Sequence, residues 1–125
     1  MKDLLGKNKN VLIVEDDLII SLVIEKMIFE LGYKVVGKTE TGEEAVEMAL
    51  KLKPDLILMD IRLKGEMDGI DAVNQINQKI DTSIIYVTGN SDNAYLQRIK
   101  KTKHVDLIIK PFTSNDLRQS LDLLD

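Results

Sequence analysis

The chain contains no cysteine, which excludes disulfide bonds, thiolate metal sites and cysteine nucleophiles. Tryptophan is also absent, and no apolar run approaches the roughly 20 residues that a helix needs to cross a bilayer. The first ten residues, MKDLLGKNKN, lack both the apolar stretch and the cleavage site of a signal peptide. Together these absences predict a cytoplasmic protein with no membrane partner.

Basic residues are too few to suggest a nucleic-acid partner. The 17 Lys and Arg residues are outnumbered by 21 Asp and Glu residues, and the net charge is −4. Because binding to phosphate backbones requires a basic surface, direct contact with nucleic acid is not expected. The length of 125 residues suits one domain with its own core. We predict a short N-terminal tail over residues 1–9 and a single domain over residues 10–125.

Short apolar runs alternate with segments of helical spacing along the chain. The runs are rich in Val, Ile and Leu and cover Val11–Val14, Lys34–Lys38, Asp55–Met59, Ser83–Val87 and Val105–Ile109. Most are apolar at nearly every position, which is typical of strands buried on both faces of a parallel sheet. Helices are predicted after Asp17, Thr41, Asp68 and Thr113 and, most weakly, near Asp92–Lys101. Five strands alternating with five helices predict an α/β fold with helices on both faces of the sheet.

Polar residues follow four of the predicted strands. Glu15, Asp16 and Asp17 follow the first strand, Asp60 the third, Thr88 the fourth and Lys110 the fifth. In an open α/β sheet, ligands bind beyond the carboxyl ends of the strands, so we expect these side chains at one edge. Each residue alone has an ordinary explanation as a loop residue or a helix cap. Together they indicate a single charged site.

The chemistry of this set favours a magnesium-dependent phosphoryl site. Clustered carboxylates raise one another's pKa unless a cation lies between them. Hard oxygen ligands, without cysteine, select Mg²⁺ or Mn²⁺ over zinc or copper. A lysine ammonium and a threonine hydroxyl can hold a phosphoryl group, and aspartate is a known covalent acceptor of such groups.

Four segments resemble the receiver domain of two-component response regulators, and the resemblance extends over nearly the whole chain. They are VLIVEDD at 11–17, DLILMDIRL at 55–63, VTG at 87–89 and IIKPF at 108–112. The resemblance implies a flavodoxin-like fold with strand order 2-1-3-4-5. It also implies that Asp60 is the phosphoacceptor, Asp16 a direct Mg²⁺ ligand and Glu15 a water-mediated one. The backbone carbonyl of Arg62 would complete the protein's share of the metal ligands.

The remaining implied roles concern the switch. Thr88 would hydrogen-bond the phosphoryl group, Lys110 would pair with it, and the Lys110–Pro111 peptide bond would be cis. A histidine kinase or phosphotransfer protein would supply the phosphoryl group, and the chain would catalyse only its own phosphorylation and dephosphorylation. The fourth helix, fifth strand and fifth helix would then shift to control a partner. Three possibilities stay open: a stand-alone regulator, a relay intermediate, or a receiver excised from a longer protein.

Three features depart from the family pattern. Leu107 occupies the switch position that is usually aromatic. After Asp60, Lys64 replaces a proline and one extra residue precedes Gly69, so a more mobile loop is expected. Arg62 and Asn90 occupy positions that flank the phosphoryl group in the family and are expected to tune its hydrolysis.

The first helix is more apolar than one buried stripe requires. Leu18, Ile19, Leu22 and Val23 extend beyond the stripe of Ile20, Ile24, Met27 and Leu31. Core packing is the favoured prediction for them. The alternative is an exposed patch around Leu18 and Leu22 that binds a kinase or phosphotransfer helix.

Other functions fit the sequence less well. A dehalogenase-type phosphatase needs a second acid two residues after its nucleophile, where this chain has Arg62. A flavin or nucleotide binder would need a Gly-rich phosphate loop after a strand, and none is present. A pure interaction module is disfavoured because the acceptor, acidic pair, Thr and Lys are all retained.

Overall fold

Strands and helices alternate along the part of the chain that the structure describes, residues 9–89 and 93–124 of a computed structural model. The elements are β1 (Asn10–Val14), α1 (Leu18–Glu30), β2 (Lys34–Thr39), α2 (Gly42–Leu52), β3 (Leu56–Met59), α3 (Gly69–Lys79), β4 (Ser83–Thr88), α4 (Asn93–Lys100), β5 (Asp106–Ile109) and α5 (Ser114–Leu121). Each predicted strand boundary is correct to within one residue. None of the described helices is long and apolar enough to span a bilayer. Residues 1–8 lie outside the description, so the tail over 1–9 stays a prediction.

The five strands form one parallel sheet in the order β2-β1-β3-β4-β5, which confirms the predicted topology. β1, β3 and β4 are buried at nearly every position, whereas the edge strands β2 and β5 are only partly covered. This difference explains why the central strands read as continuous apolar runs: both of their faces are covered by helices.

Alternate residues of each central strand enter two separate cores. Leu12, Ile57 and Tyr86 pack with α2, α3 and α4 on one face of the sheet. Val11 and Leu58, on the other face, pack with α1 and α5. The helices therefore lie on both sides of the sheet, as the sequence predicts.

Helix boundaries follow from capping residues that the sequence displays. The Asp17 carboxylate accepts hydrogen bonds from the backbone N–H groups of Ile19 and Ile20, so Asp17 is the N-cap of α1. Asp68 forms a reciprocal capping box with Asp71 at the start of α3. After α1, Gly32 has a φ of 90°, the left-handed conformation that ends a helix with little strain.

The prediction that the extra apolar residues of α1 belong to the core is wrong. Leu18 is 64% exposed, Ile19 75%, Leu22 58% and Val23 48%. The buried stripe of α1 is instead formed by Ser21, Ile24 and Ile28. A helix that packs on one face of a sheet buries only about a third of its circumference, so the remaining apolar residues stay in solvent.

The loop that follows Asp60 is attached to the β2–α2 connection. Lys64 forms a parallel bridge with Thr41, and its ammonium lies 3.2 Å from a carboxylate oxygen of Glu40. Gly65 has a φ of 92°, which favours glycine at this turn. The greater mobility expected for this loop stays a prediction, and these contacts act against it.

Gly69 lies closer to the backbone of Asp60 than any other residue type could. A Cβ at this position would lie 1.9 Å from the carbonyl oxygen of Asp60. The Gly69 N–H also donates a 2.8 Å hydrogen bond to the carbonyl of Ile61. The start of α3 is thus fixed directly against Asp60, the residue that follows β3.

We predict that Gly69→Ala lowers the free energy of unfolding by about 3 kcal/mol, since the added methyl group forces two backbone segments apart. Gly89→Ala is the matched control, because a Cβ there would meet nothing within 4 Å. Urea unfolding of both variants measures the difference. Equal stabilities would show that the space between Gly69 and the Asp60 carbonyl can accept a methyl group.

Candidate functional site

The backbone of the sheet fixes the site residues at one edge. The N–H of Glu15 donates to the carbonyl of Thr39, and the N–H of Asp60 donates to the carbonyl of Val14, both at 3.0 Å. The N–H of Lys110 donates to the carbonyl of Thr88 at 2.9 Å. Glu15, Asp60 and Lys110 therefore each continue the hydrogen bonding of the preceding strand, and their side chains emerge at the carboxyl edge of the sheet.

An ammonium group joins two buried carboxylates at this edge. Lys110 Nζ lies 2.6 Å from Glu15 Oε1 and 3.1 Å from Asp60 Oδ2. Glu15 is 3% exposed and Asp60 5% exposed. The other Asp60 oxygen, Oδ1, accepts a 2.7 Å hydrogen bond from the N–H of Ile61. Both oxygens of Asp60 are therefore held in place.

A third carboxylate completes an acidic cluster. Glu15, Asp16 and Asp60 can each present an oxygen so that all three lie within 4.8 Å of one another. Three ionised carboxylates beside one ammonium leave two negative charges, the charge that one divalent cation would balance. The donors are hard oxygens, so the residues present fit Mg²⁺. The predicted acidic pair, Glu15 and Asp16, thus lies beside Asp60.

The match to known proteins decides the family. Residues 11–122 match the family model described as the response regulator receiver domain. The chain belongs to this family. It is a receiver domain of two-component response regulators, and its fold and strand order agree with that assignment.

Curated relatives include both short and longer regulators. The chain is 37% identical over 116 residues to the chemotaxis protein CheY of Thermotoga maritima, covering 91% of this chain and 95% of the relative. It is 36% identical over 115 residues to the transcriptional regulatory protein PdtaR of Mycobacterium tuberculosis, covering 92% of this chain. The chain spans only 56% of the length of that relative.

Solved structures show the same architecture. The signal receiver domain of a modulated diguanylate cyclase from Desulfovibrio desulfuricans superposes with a TM-score of 0.88 at 32% identity, covering 94% of each chain. The receiver domain of the sensor histidine kinase PA1611 from Pseudomonas aeruginosa has a TM-score of 0.84 at 31% identity, with 94% of this chain and 97% of that chain covered. That structure has a magnesium ion coordinated in its active-site cleft.

The electrostatics of the receiver site follow from burial and crowding. Burial raises the pKa of Glu15, and the charge of Asp60 adds to the rise although the hydrogen bond from Lys110 opposes it. Burial and the neighbouring Glu15 carboxylate raise the pKa of Asp16. Burial disfavours the charged form of Lys110, but bonding to Glu15 and Asp60 outweighs it and raises its pKa. The carboxylates therefore carry a charge cost that a further cation would relieve.

The described residues that are expected to act in the switch differ in how deeply they are buried. Thr88 ends β4 and is 1% exposed. Leu107 is half-buried and lies opposite Tyr86 in the pairing of β4 with β5. The Lys110–Pro111 peptide bond is cis. Arg62 is exposed, with its guanidinium carbon 6.0 Å from the ring centroid of Tyr95 on α4. Asn90 lies outside the described residues.

Sequence reasoning missed the polar contacts that hold α4. Arg98 of α4 bonds both Asp68 and Asp71 at the start of α3, and the hydroxyl of Tyr86 lies 2.9 Å from that of Thr102. Thirty residues separate Arg98 from Asp68. No local pattern connects residues that far apart, so only the fold reveals the pair.

We predict that Lys110→Met lowers the free energy of unfolding by about 2 kcal/mol without metal, because two buried carboxylates lose their cation. Added Mg²⁺ should recover much of this loss. Lys103→Met is the control, since Lys103 pairs with Asp81 at the surface, where both side chains are more than 70% exposed. Thermal unfolding with and without Mg²⁺ measures both effects. A Lys110→Met protein as stable as the Lys103→Met protein would contradict the charge analysis.

Proposed function

We propose that this receiver domain accepts a phosphoryl group on Asp60, with Mg²⁺ held by Glu15, Asp16, Asp60 and the backbone carbonyl of Arg62. The observation that carries the proposal is the buried Asp60 carboxylate, fixed by Lys110 and bordered by two further acids. The same donors would also accept Mn²⁺. When bound, the divalent cation supplies positive charge that offsets the carboxylates and the incoming phosphoryl oxygens.

The chain's own residues define the transfer. A carboxylate oxygen of Asp60 attacks the phosphorus of a phosphohistidine, so that an O–P bond forms as the N–P bond breaks and the imidazole leaves. The Ile61 N–H holds Asp60 Oδ1 during this step. The Lys110 ammonium donates to the phosphoryl oxygens, as does the Thr88 hydroxyl. The phosphohistidine belongs to a histidine kinase or phosphotransfer protein.

Phosphorylation changes the balance of charge at the sheet edge. The phosphoryl group brings about −1.5 to −2 charges and three acceptor oxygens to Asp60, in place of the single negative charge of its carboxylate. Thr88, at the end of β4, and Lys110, directly after β5, are drawn towards those oxygens. The displacement reaches α4, β5 and α5 and presents a changed surface to an output partner. Leu107 repacks in this transition without the aromatic ring that the family usually has.

Two further residues are expected to tune the reaction at the proposed acceptor. Arg62 and Asn90 alter the lifetime of the aspartyl phosphate without being required for its formation. The chain catalyses only its own phosphorylation and dephosphorylation. It acts in the cytoplasm and binds neither nucleic acid nor membrane directly.

We predict that acetyl phosphate with Mg²⁺ adds one phosphoryl group to the intact protein, detected by mass spectrometry. Asp60→Asn should show no gain, because the amide cannot act as the nucleophile. Omitting Mg²⁺ should also abolish the gain. Persistence of the gain in Asp60→Asn would transfer the acceptor role to another residue. No gain in either protein, together with no binding of beryllofluoride, would refute the proposed function.

The exposed residues of α1 offer a docking site for the phosphodonor protein. We define the α1 patch as Leu18, Ile19, Leu22 and Val23. A largely apolar groove of about 350 Å³ lies beside it, between α1 and the segment Lys110–Phe112. Because Lys110 both lines this groove and bonds Asp60, a protein seated on the patch lies next to the acceptor. We propose that the occupant is the apolar face of a helix from the phosphodonor.

We predict that Leu22→Asp slows transfer from a histidine kinase that phosphorylates the wild-type chain, while the rate with acetyl phosphate stays unchanged. Leu123→Asp is the matched control, since Leu123 is 60% exposed and Leu22 58%. Both variants should fold, because both side chains are in solvent. Equal kinase rates for the two variants would exclude docking at the patch. Loss of wild-type self-association in Leu22→Asp would instead assign the patch to a second copy of the chain.

A further inference from the structure

A charged cluster ties α4 to the start of α3. Arg98 Nη1 donates to Asp68 Oδ2 at 2.8 Å, and Nη2 donates to Asp68 Oδ1 at 3.2 Å and to Asp71 Oδ1 at 3.1 Å. The contact with Asp68 is bidentate, the geometry in which an arginine binds a carboxylate most specifically. We call these three residues the Arg98 cluster.

The acidic side of the Arg98 cluster is built against the phosphoacceptor. Asp68 and Asp71 form the capping box of α3, and Gly69 between them contacts the carbonyl of Asp60. The N–H of Gly69 also bonds the carbonyl of Ile61, whose own N–H holds Asp60 Oδ1. An unbroken series of backbone contacts therefore leads from the Asp60 carboxylate to Asp68.

The far end of α4 is tied to the strand that carries Thr88. Thr102 follows α4, and its hydroxyl is hydrogen-bonded to that of Tyr86 at 2.9 Å and donates to the Ile99 carbonyl at 2.7 Å. Tyr86 lies two residues before Thr88 on β4 and is fully buried. By contrast, Ile99 is the single buried residue among Asn93–Lys100. Only the partly buried Tyr95 and Leu96 join Ile99 in packing on the core, so the polar contacts supplement a narrow apolar face.

We propose that the Arg98 cluster is a latch that holds α4 in its unphosphorylated position and opposes phosphorylation of Asp60. This inference rests on the proposed phosphoacceptor role of Asp60. Tyr86 lies two residues before Thr88 and is bonded to Thr102 at the end of α4, so movement of Thr88 and the end of β4 towards a phosphoryl group displaces that helix. Arg98 resists, because it is bonded to an α3 cap that is fixed behind Asp60.

If the Arg98 cluster acts as a latch, breaking it should change ligand affinity in a definite direction. By linkage, a contact that stabilises the unphosphorylated state weakens binding of any ligand that favours the phosphorylated one. Releasing the latch should therefore tighten binding of beryllofluoride, a phosphoryl mimic. The pair is partly exposed, with 42% of the Arg98 side chain and 25% of that of Asp68 in solvent, so the effect is moderate.

The experiment compares Arg98→Gln, Asp68→Asn and the double variant with the wild-type chain. Asparagine caps a helix as well as aspartate does, so Asp68→Asn removes the charge and keeps the cap. Arg118→Gln is the control, because Arg118 is exposed on α5 and bonds Asn115 of the same helix. We expect each single variant to bind beryllofluoride, with Mg²⁺ present, about fivefold more tightly than wild type. The double variant should show no further gain over Arg98→Gln, since that change alone already removes the contacts of Arg98 with both Asp68 and Asp71.

Hydrogen exchange of the α4 amides separates a latch from a merely structural contact. We expect faster exchange in both single variants without beryllofluoride, and a smaller change on its addition than in wild type. Faster exchange with unchanged or weakened beryllofluoride affinity would overturn the latch. So would an equal effect in Arg118→Gln. If wild type binds no beryllofluoride, the proposed function fails and the latch with it, whereas normal wild-type binding with unaltered variants rejects only the latch.

Discussion

The ion pairs of Lys110 with Glu15 and Asp60 are the interaction on which the site depends. A parallel sheet brings the ends of all its strands to one edge, so residues 95 positions apart, Glu15 and Lys110, meet at 2.6 Å. One ammonium cannot balance three carboxylates, and burial prevents water from compensating fully. The site thus keeps an excess of negative charge. A bound divalent cation would offset that charge, as the proposed function requires.

The attachment of α4 differs from that of α3, and the difference suits their roles. α3 buries five residues between the sheet and α2, and Gly69 sets it rigidly behind Asp60. α4 fully buries only Ile99, with Tyr95 and Leu96 partly buried beside it, and Arg98 and Thr102 add polar contacts. Apolar packing responds little to a new charge, whereas partly exposed ion pairs are weak and respond directly. An element held in this way can move when its neighbour gains a phosphoryl group.

Much of this architecture was predictable because its determinants are local. Buried strands appear as continuous apolar runs, and Asp17, Thr41 and Thr113 cap their helices through neighbouring N–H groups. Glu15, Asp60 and Lys110 follow directly after strands, so strand prediction alone places them together. The exposure of Leu22 was not predictable, since an apolar residue has the same pattern whether it meets the core or a partner. Nor was the contact of Arg98 with Asp68, which depends on how two helices pack.

The proposed docking patch and the Arg98 cluster lie on opposite faces of the sheet. α1 and α5 pack on one face, while α2, α3 and α4 pack on the other. The α1 patch, where we place the phosphodonor, therefore lies across the sheet from the Arg98 cluster, yet both reach the edge that holds Asp60. A donor seated on α1 leaves α4 uncovered, so the helix can move while the donor is bound. The proposed latch would then affect phosphorylation at the proposed acceptor Asp60 whichever donor delivers the group, because it would act on the equilibrium of the receiver itself.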